Sequence, residues 1–351
     1  MKLFHSKIQK TKWTINRLNR ALKIYYSNRS FRAWKLLFFH FLAKLLKGNV
    51  PNIVTIGVTY RCQCNCVHCS TNAPNRKKRP ELETWQIKSI IDQTKKLGVV
   101  RVTFFGGEPL LRNDIVELVQ YAHNKGMITR INTNGWLLNR KFIPKLKEAG
   151  LNLCDVSLDD PDPDTHDSLR GLPGLYQKAI EGIKILKEFN IRCQIVTYAA
   201  KKNVPSGLEE IIDLGKQLGV FAISIVFPML SGCWHERIDV LLTEAEKESV
   251  RALGDSKFVH VELPSYKSKC NVNKKISLYV SPEGNVNPCP FIPYVMGNIK
   301  NCNLEEMWHS FSTKFNLSCA GDCPMNESQT REALKSAIES IGDIKVEHLT
   351  K

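Results

Sequence analysis

The chain has 351 residues, 43% of them hydrophobic and 24% charged, which suffices for one large buried core and excludes a disordered or membrane-spanning composition. Its net charge is +16, yet the first 50 residues hold twelve Lys or Arg and no Asp or Glu, so the rest of the chain is close to balanced. Twelve cysteines arrive in tight clusters, and the first 32 residues lack a continuous apolar stretch, so the thiols read as reduced and metal-binding in a cytosolic protein rather than as a disulfide scaffold.

Residues 1–50 form a basic leader, and the spacing predicts an amphipathic helix over 31–47. Phe31, Trp34, Phe38, Phe41, Leu42 and Leu45 fall on one face, with Arg32, Lys35, His40, Lys44 and Lys47 on the other. Gly48 and Pro51 stop it, and its nearly apolar run over 36–43 is far short of the roughly 20 residues that span a bilayer. Two readings stay open: the helix lies peripherally on a membrane surface, or its apolar side packs on the protein body. Nucleic acid is not an expected partner, because no base-reading module follows.

Residues 51–240 alternate β-branched runs (53–59, 100–105, 127–132, 151–157, 191–198 and 220–227) with helical stretches (84–97, 113–125, 138–149, 175–189 and 206–218). Such alternation predicts an α/β fold with a parallel sheet, and six strands are too few for a closed eight-fold barrel, so a partial (β/α)6 barrel is expected. Beyond Thr243 the alternation fades; a small cysteine-rich domain is expected over 264–325 and a helical tail over 326–351.

Four cysteines crowd into residues 62–69, and Cys62, Cys66 and Cys69 have the spacing CxxxCxxC. Three thiolates on one loop can hold three irons of a cubane and leave the fourth open to a ligand, as catalytic metal sites do. Gly106-Gly107-Glu108-Pro109 follows the second strand, and Asn134 lies after the third on the same rim. Together these motifs resemble the radical S-adenosylmethionine (radical SAM) superfamily over residues 52–230. The resemblance implies that Cys62, Cys66 and Cys69 hold a SAM-binding 4Fe–4S cluster, whose electron cleaves SAM to a 5′-deoxyadenosyl radical that abstracts hydrogen from substrate. It implies SAM contacts at His68 against the adenine, Gly106 and Gly107 beside the methionyl part, and Glu108 on the ammonium. It also implies Ser157 on the ribose, Arg170 on the carboxylate and Asn134 as a further rim contact. Cys64 has no assigned role and is expected to point away from the cluster. Cys154 and Cys193 are expected in the core. Cys233, after the sixth strand, has two readings: a thiol that returns hydrogen to a substrate radical, or a bystander.

A second set, Cys270, Cys289, Cys319 and Cys323 with Cys302 between, is similar to the C-terminal SPASM/Twitch extension of that superfamily. This implies a second, auxiliary 4Fe–4S cluster, although four thiolates suit zinc as well. A flavodoxin- or ferredoxin-like electron donor is the implied partner. The basic leader turns the expected substrate toward a lipid or other membrane-associated molecule. The alternatives are maturation of a ribosomally made peptide and, in another class, a non-catalytic Fe–S electron carrier.

Overall fold

The structure is a computed structural model that describes residues 43, 48–71, 79–255, 257–262, 272, 274–314, 323–328 and 331–332. The 31–47 helix, except for residue 43, and most of the 326–351 tail lie outside the described residues.

The elements run β1 (Ile53–Thr59), α1 (Thr84–Leu97), β2 (Arg101–Gly106), α2 (Ile115–Asn124), β3 (Ile128–Thr133), α3 (Ile143–Glu148) and β4 (Leu153–Ser157). Then follow α4 (Pro163–Arg170), α5 (Leu175–Glu188), β5 (Arg192–Tyr198), α6 (Ser206–Leu218), β6 (Ala222–Val226), α7 (Glu244–Ala252) and β7 (Val259–Glu262). Strands β1 to β7 pair parallel in chain order, which gives the expected six β/α units and one further strand. That seventh strand was not anticipated, because Val259-His260-Val261-Glu262 is half polar and too short to stand out from a loop.

The cysteine-bearing segment enters the same sheet. β8 (Ser277–Val280) pairs parallel with β1, and β9 (Asn285–Asn287) and β10 (Gly297–Asn298) continue antiparallel beyond it, for ten strands in all. A last helix, α8 (Leu304–Lys314), packs near α1. The region expected as a separate domain is therefore continuous with the barrel through β8.

Local chemistry accounts for these elements. In α1 the buried Ile87, Ile90, Ile91, Thr94 and Leu97 recur at helical spacing. A capping box between Glu83 and Gln86 starts this helix, and Gly98, at φ 102°, ends it in the left-handed conformation. One face of the strands (Val54, Ile56, Phe104, Ile131, Ile195 and Ile223 among others) meets the helices in a single apolar core.

The alternate residues face inward, and there the sheet is polar: Thr103, Arg130, Asp155, Gln194, Ser224 and His260 are each 9% exposed or less. Arg130 and Asp155 form a buried ion pair on neighbouring strands. Burying such groups is costly unless they are paired, and the Arg130–Asp155 pair meets part of that cost on this polar inner face. At the rim, the β1–β2 register shifts between Gly57 and Thr59, just before the cysteine loop leaves β1. No helix among the described residues is long and apolar enough to cross a membrane.

Candidate active site

The Gly-Gly-Glu-Pro loop rests directly on the start of the cysteine loop. A Cβ on Gly106 would lie 2.2 Å from the Thr59 carbonyl oxygen, and one on Gly107 would lie 2.3 Å from that of Arg61. Only glycine allows this approach, which is sealed by hydrogen bonds from Gly107 N to Thr59 O (2.7 Å) and from Glu108 N to Arg61 O (2.8 Å). The room these glycines make is thus filled by the chain itself.

Glu108 is fully buried. Its Oε1 accepts from Thr133 Oγ1 (2.8 Å) and Leu110 N (3.1 Å), and its Oε2 accepts from Asn134 N (2.8 Å). Burial pushes its pKa up to about 7 against those bonds. Glu108 thereby joins the rims of β2 and β3, and Oε2, with one chain donor, keeps acceptor capacity for the expected ammonium of SAM.

Asn134 turns toward the thiols. Its Nδ2 donates to Cys64 Sγ (3.3 Å) and lies 3.8 Å from Cys62 Sγ, while its Oδ1 accepts from Trp136 N and Gln63 Nε2. Cys64 does not point away, as the sequence reading had it. It is buried and hydrogen-bonds to both Cys62 and Cys66, because the loop folds back on itself beneath Asn134. The bond from Cys64 lowers the Cys66 pKa to about 6 despite burial, helped by the charges of Arg170 and His68.

Cys69 lies beside Thr71 Oγ1 (3.6 Å) and hydrogen-bonds to Cys233. The loop carrying Cys233 is docked there by Cys233 N donating to Cys69 O (2.9 Å), over Gly232, whose absent Cβ would sit 2.1 Å from that oxygen. The structure therefore brings Cys62, Cys64 and Cys66 together and sets Cys69 against Cys233.

Helix α4, which the sequence reading missed inside Pro161–Arg170, completes the rim. Asp162 caps it by accepting from Thr165 N (2.8 Å). Its carboxyl end pairs with the cysteine loop, Asn65 N donating to Arg170 O (2.9 Å) and Val67 N to Leu169 O (3.0 Å). Arg170 lies with Nη1 3.9 Å from Cys66 Sγ and Nε donating to Asp159 Oδ2 (2.7 Å).

His68 is buried against Tyr198 and Trp234, with ring centroids at 4.8 and 5.6 Å, and its Nε2 is 3.2 Å from the same Asp159 oxygen. Ser157 ends β4 half-buried, in register with Val196. The sequence by itself assigns no role to Asp159 or His166; a buried carboxylate shared by Arg170 and His68 becomes visible only once α4 has folded.

Of the second cysteine set, Cys270 and Cys319 lie outside the described residues. Cys289 and Cys323 are half-buried against the core, and Cys302 is exposed. Cys154 and Cys193 are buried cross-strand neighbours on the helix-facing side, as expected of core thiols.

A partial (β/α)6 barrel with a thiol loop at its mouth and a cysteine-bearing extension on its edge defines a protein of the α/β class. The chain belongs to the radical SAM superfamily. The Radical SAM superfamily description matches residues 56–215, and the SPASM iron-sulfur cluster-binding domain matches residues 270–325.

The AdoMet-dependent heme synthase of Methanosarcina barkeri is 30% identical over 75% of this chain and 83% of its own length. The PqqA peptide cyclase of Gluconobacter oxydans is 27% identical over 76% of this chain and 78% of its own. The structure of Streptococcus suis SuiB bound to S-adenosylmethionine superposes with a TM-score of 0.64 at 19% identity, covering 90% of this chain and 84% of that one.

The protein is thus an enzyme whose cofactors are a 4Fe–4S cluster with SAM and an auxiliary Fe–S cluster. The rim suits this chemistry: it offers soft sulfur donors, a low thiol pKa at Cys66 and a buried guanidinium beside them.

Proposed function

We propose that this protein is a radical SAM maturase that abstracts hydrogen from a ribosomally made peptide. Cys62, Cys66 and Cys69 would hold the SAM-binding cluster. Arg170, His68 and Ser157 would bind SAM, with Gly106, Gly107, Glu108 and Asn134 building the rim that carries these contacts. Cys270, Cys289, Cys319 and Cys323 would hold the auxiliary cluster. When bound, cluster and SAM supply a 5′-deoxyadenosyl radical. The chain's own part is to orient SAM and substrate at the mouth of the barrel.

The observation that carries the peptide reading is the likeness to the PqqA peptide cyclase across three quarters of both chains. SuiB, whose fold this chain shares, has also been solved with its precursor peptide. These comparisons support a peptide over the lipid inferred from the basic leader. A second reading, a heme precursor, is favoured by the 30% identity to the heme synthase.

The test is deuterium transfer. Reconstituted enzyme is given SAM with deuterated candidate peptides, a heme precursor or lipid vesicles, and label is sought in 5′-deoxyadenosine. Label from a peptide alone supports the proposal, and label only from the heme precursor or the lipid overturns it.

A further inference from the structure

Asp159 is the point on which Arg170 and His68 converge. Its Oδ2 accepts from Arg170 Nε (2.7 Å) and faces His68 Nε2 (3.2 Å). Its main-chain N donates to His166 Nδ1 (3.1 Å), and its main-chain O accepts from Asn203 Nδ2 (3.1 Å). The residue is 2% exposed, and its other carboxylate oxygen, Oδ1, has no hydrogen-bond partner among the described residues.

We propose that Asp159 is the positioning residue of the SAM site, holding the Arg170 guanidinium and the His68 ring in the places from which they meet SAM. This rests on the reading of Arg170 as the partner of the SAM carboxylate. Arginine is a long, rotamer-rich side chain, and its planar fork binds a carboxylate well only when it is already aligned. With Nε fixed on Asp159 and Nη1 beside Cys66 Sγ, the guanidinium plane is set, and Nη2 is left to meet a second carboxylate. His68 sits on the cysteine loop and Arg170 on α4, so one carboxylate ties together two elements that also meet through main-chain bonds and the Arg170–Cys66 contact. Partners one shell removed from a site commonly change its affinity by about 10- to 100-fold when removed.

The role is separable from holding the fold. Replacing the Asp159 side chain leaves the main-chain bonds to His166 and Asn203, and those from Asn65 and Val67 to the end of α4. The experiment uses anaerobically reconstituted full-length protein. It measures SAM dissociation by equilibrium dialysis and follows the SAM-induced change in the EPR signal of the reduced cluster.

Asp159→Ala is expected to load iron normally and to weaken SAM binding by about tenfold or more. Asp159→Asn, which keeps an accepting oxygen, is expected to recover most of that loss. Arg170→Lys is expected to weaken SAM by itself, and Asp159→Ala added to it should cost less than a further twofold, because the two act as one unit. SAM affinity within twofold of the parent in Asp159→Ala overturns the proposal. So does a full tenfold further loss on the Arg170→Lys background. Should Asp159→Ala fail to load its clusters, Asp159→Ser takes its place, and failure of both counts as a purely structural role and overturns it. If Arg170→Lys leaves SAM binding unchanged, the underlying reading of Arg170 fails. If Arg170→Lys weakens SAM and Asp159→Ala does not, only the positioning role fails.

Discussion

Glu108 shows how a rim residue can also hold the fold together. Its motif places it on the rim, where it lies, but complete burial and three chain donors make it a clasp between β2 and β3. That environment has a pH signature. A carboxyl whose folded pKa is about 7 instead of 4.5 adds stability that is complete below pH 4.5 and is lost as pH rises through 7. At 1.36 kcal/mol per pKa unit the swing is about 3 kcal/mol. Urea titrations from pH 4.5 to 8 should show the parent losing stability with rising pH relative to Glu108→Gln, which carries no titrating group there. The constant offset between the two reports the altered hydrogen bonds, and parallel pH curves would remove the burial argument. Cys64 teaches a related lesson: spacing selected the three ligand cysteines, but only the folded loop shows the fourth thiol lodged between two of them.

Helix α4 is the element on which the SAM contacts depend. Its sequence, Pro163-Asp-Thr-His166-Asp-Ser-Leu-Arg170, is mostly polar and lacks an apolar stripe, so periodicity does not reveal it. What stabilises it is local: the Asp162 cap, proline in the first turn and Gly171 closing the end at φ 61°. Gly171 also meets the cysteine loop, since a Cβ there would lie 3.0 Å from the Asn65 carbonyl oxygen. Gly171→Ala should therefore cost about 1–2 kcal/mol from left-handed strain alone. It should also displace Arg170 and weaken SAM binding in parallel. Thermal denaturation and SAM dialysis on the same preparation check the pair of effects, and a loss of stability with unchanged SAM affinity would uncouple helix from site.

The molecule as a whole joins its two cysteine regions at several places, two of them central to the site. β8 adds the C-terminal segment to the barrel sheet beside β1. At the mouth, Asn326 donates through Nδ2 to Pro228 O (2.9 Å) and accepts through Oδ1 from Leu230 N (3.0 Å). The loop it holds runs on to Cys233, which lies on Cys69. A continuous run of contacts thus leads from Cys323 to the loop of the SAM-binding motif. Removing the Asn326 side chain leaves Leu230 N without its acceptor, worth about 1 kcal/mol. Asn326→Ala should speed hydrogen exchange over residues 228–233 by about fivefold, with the β1–β3 strands unaffected. Unchanged protection in that loop would mean that packing rather than this staple holds the two regions together.

The order of β/α units and the CxxxCxxC and Gly-Gly-Glu-Pro motifs are local patterns, so the residues carry them without reference to the fold. They yielded the partial barrel, the cofactors and the rim. The folded chain was needed for everything that rests on contacts between distant residues: β7 and the entry of β8 beside β1, the inward Cys64, the clasp at Glu108 and the Asp159 hub. Hydrogen bonds and buried ion pairs join residues far apart in sequence, here from Cys66 to Arg170 and from His68 to Asp159. Periodicity and spacing hold no record of such pairs. The sequence named the cluster loop, and the packing of α4 and the β6 loop against it determined which side chains surround the sulfurs.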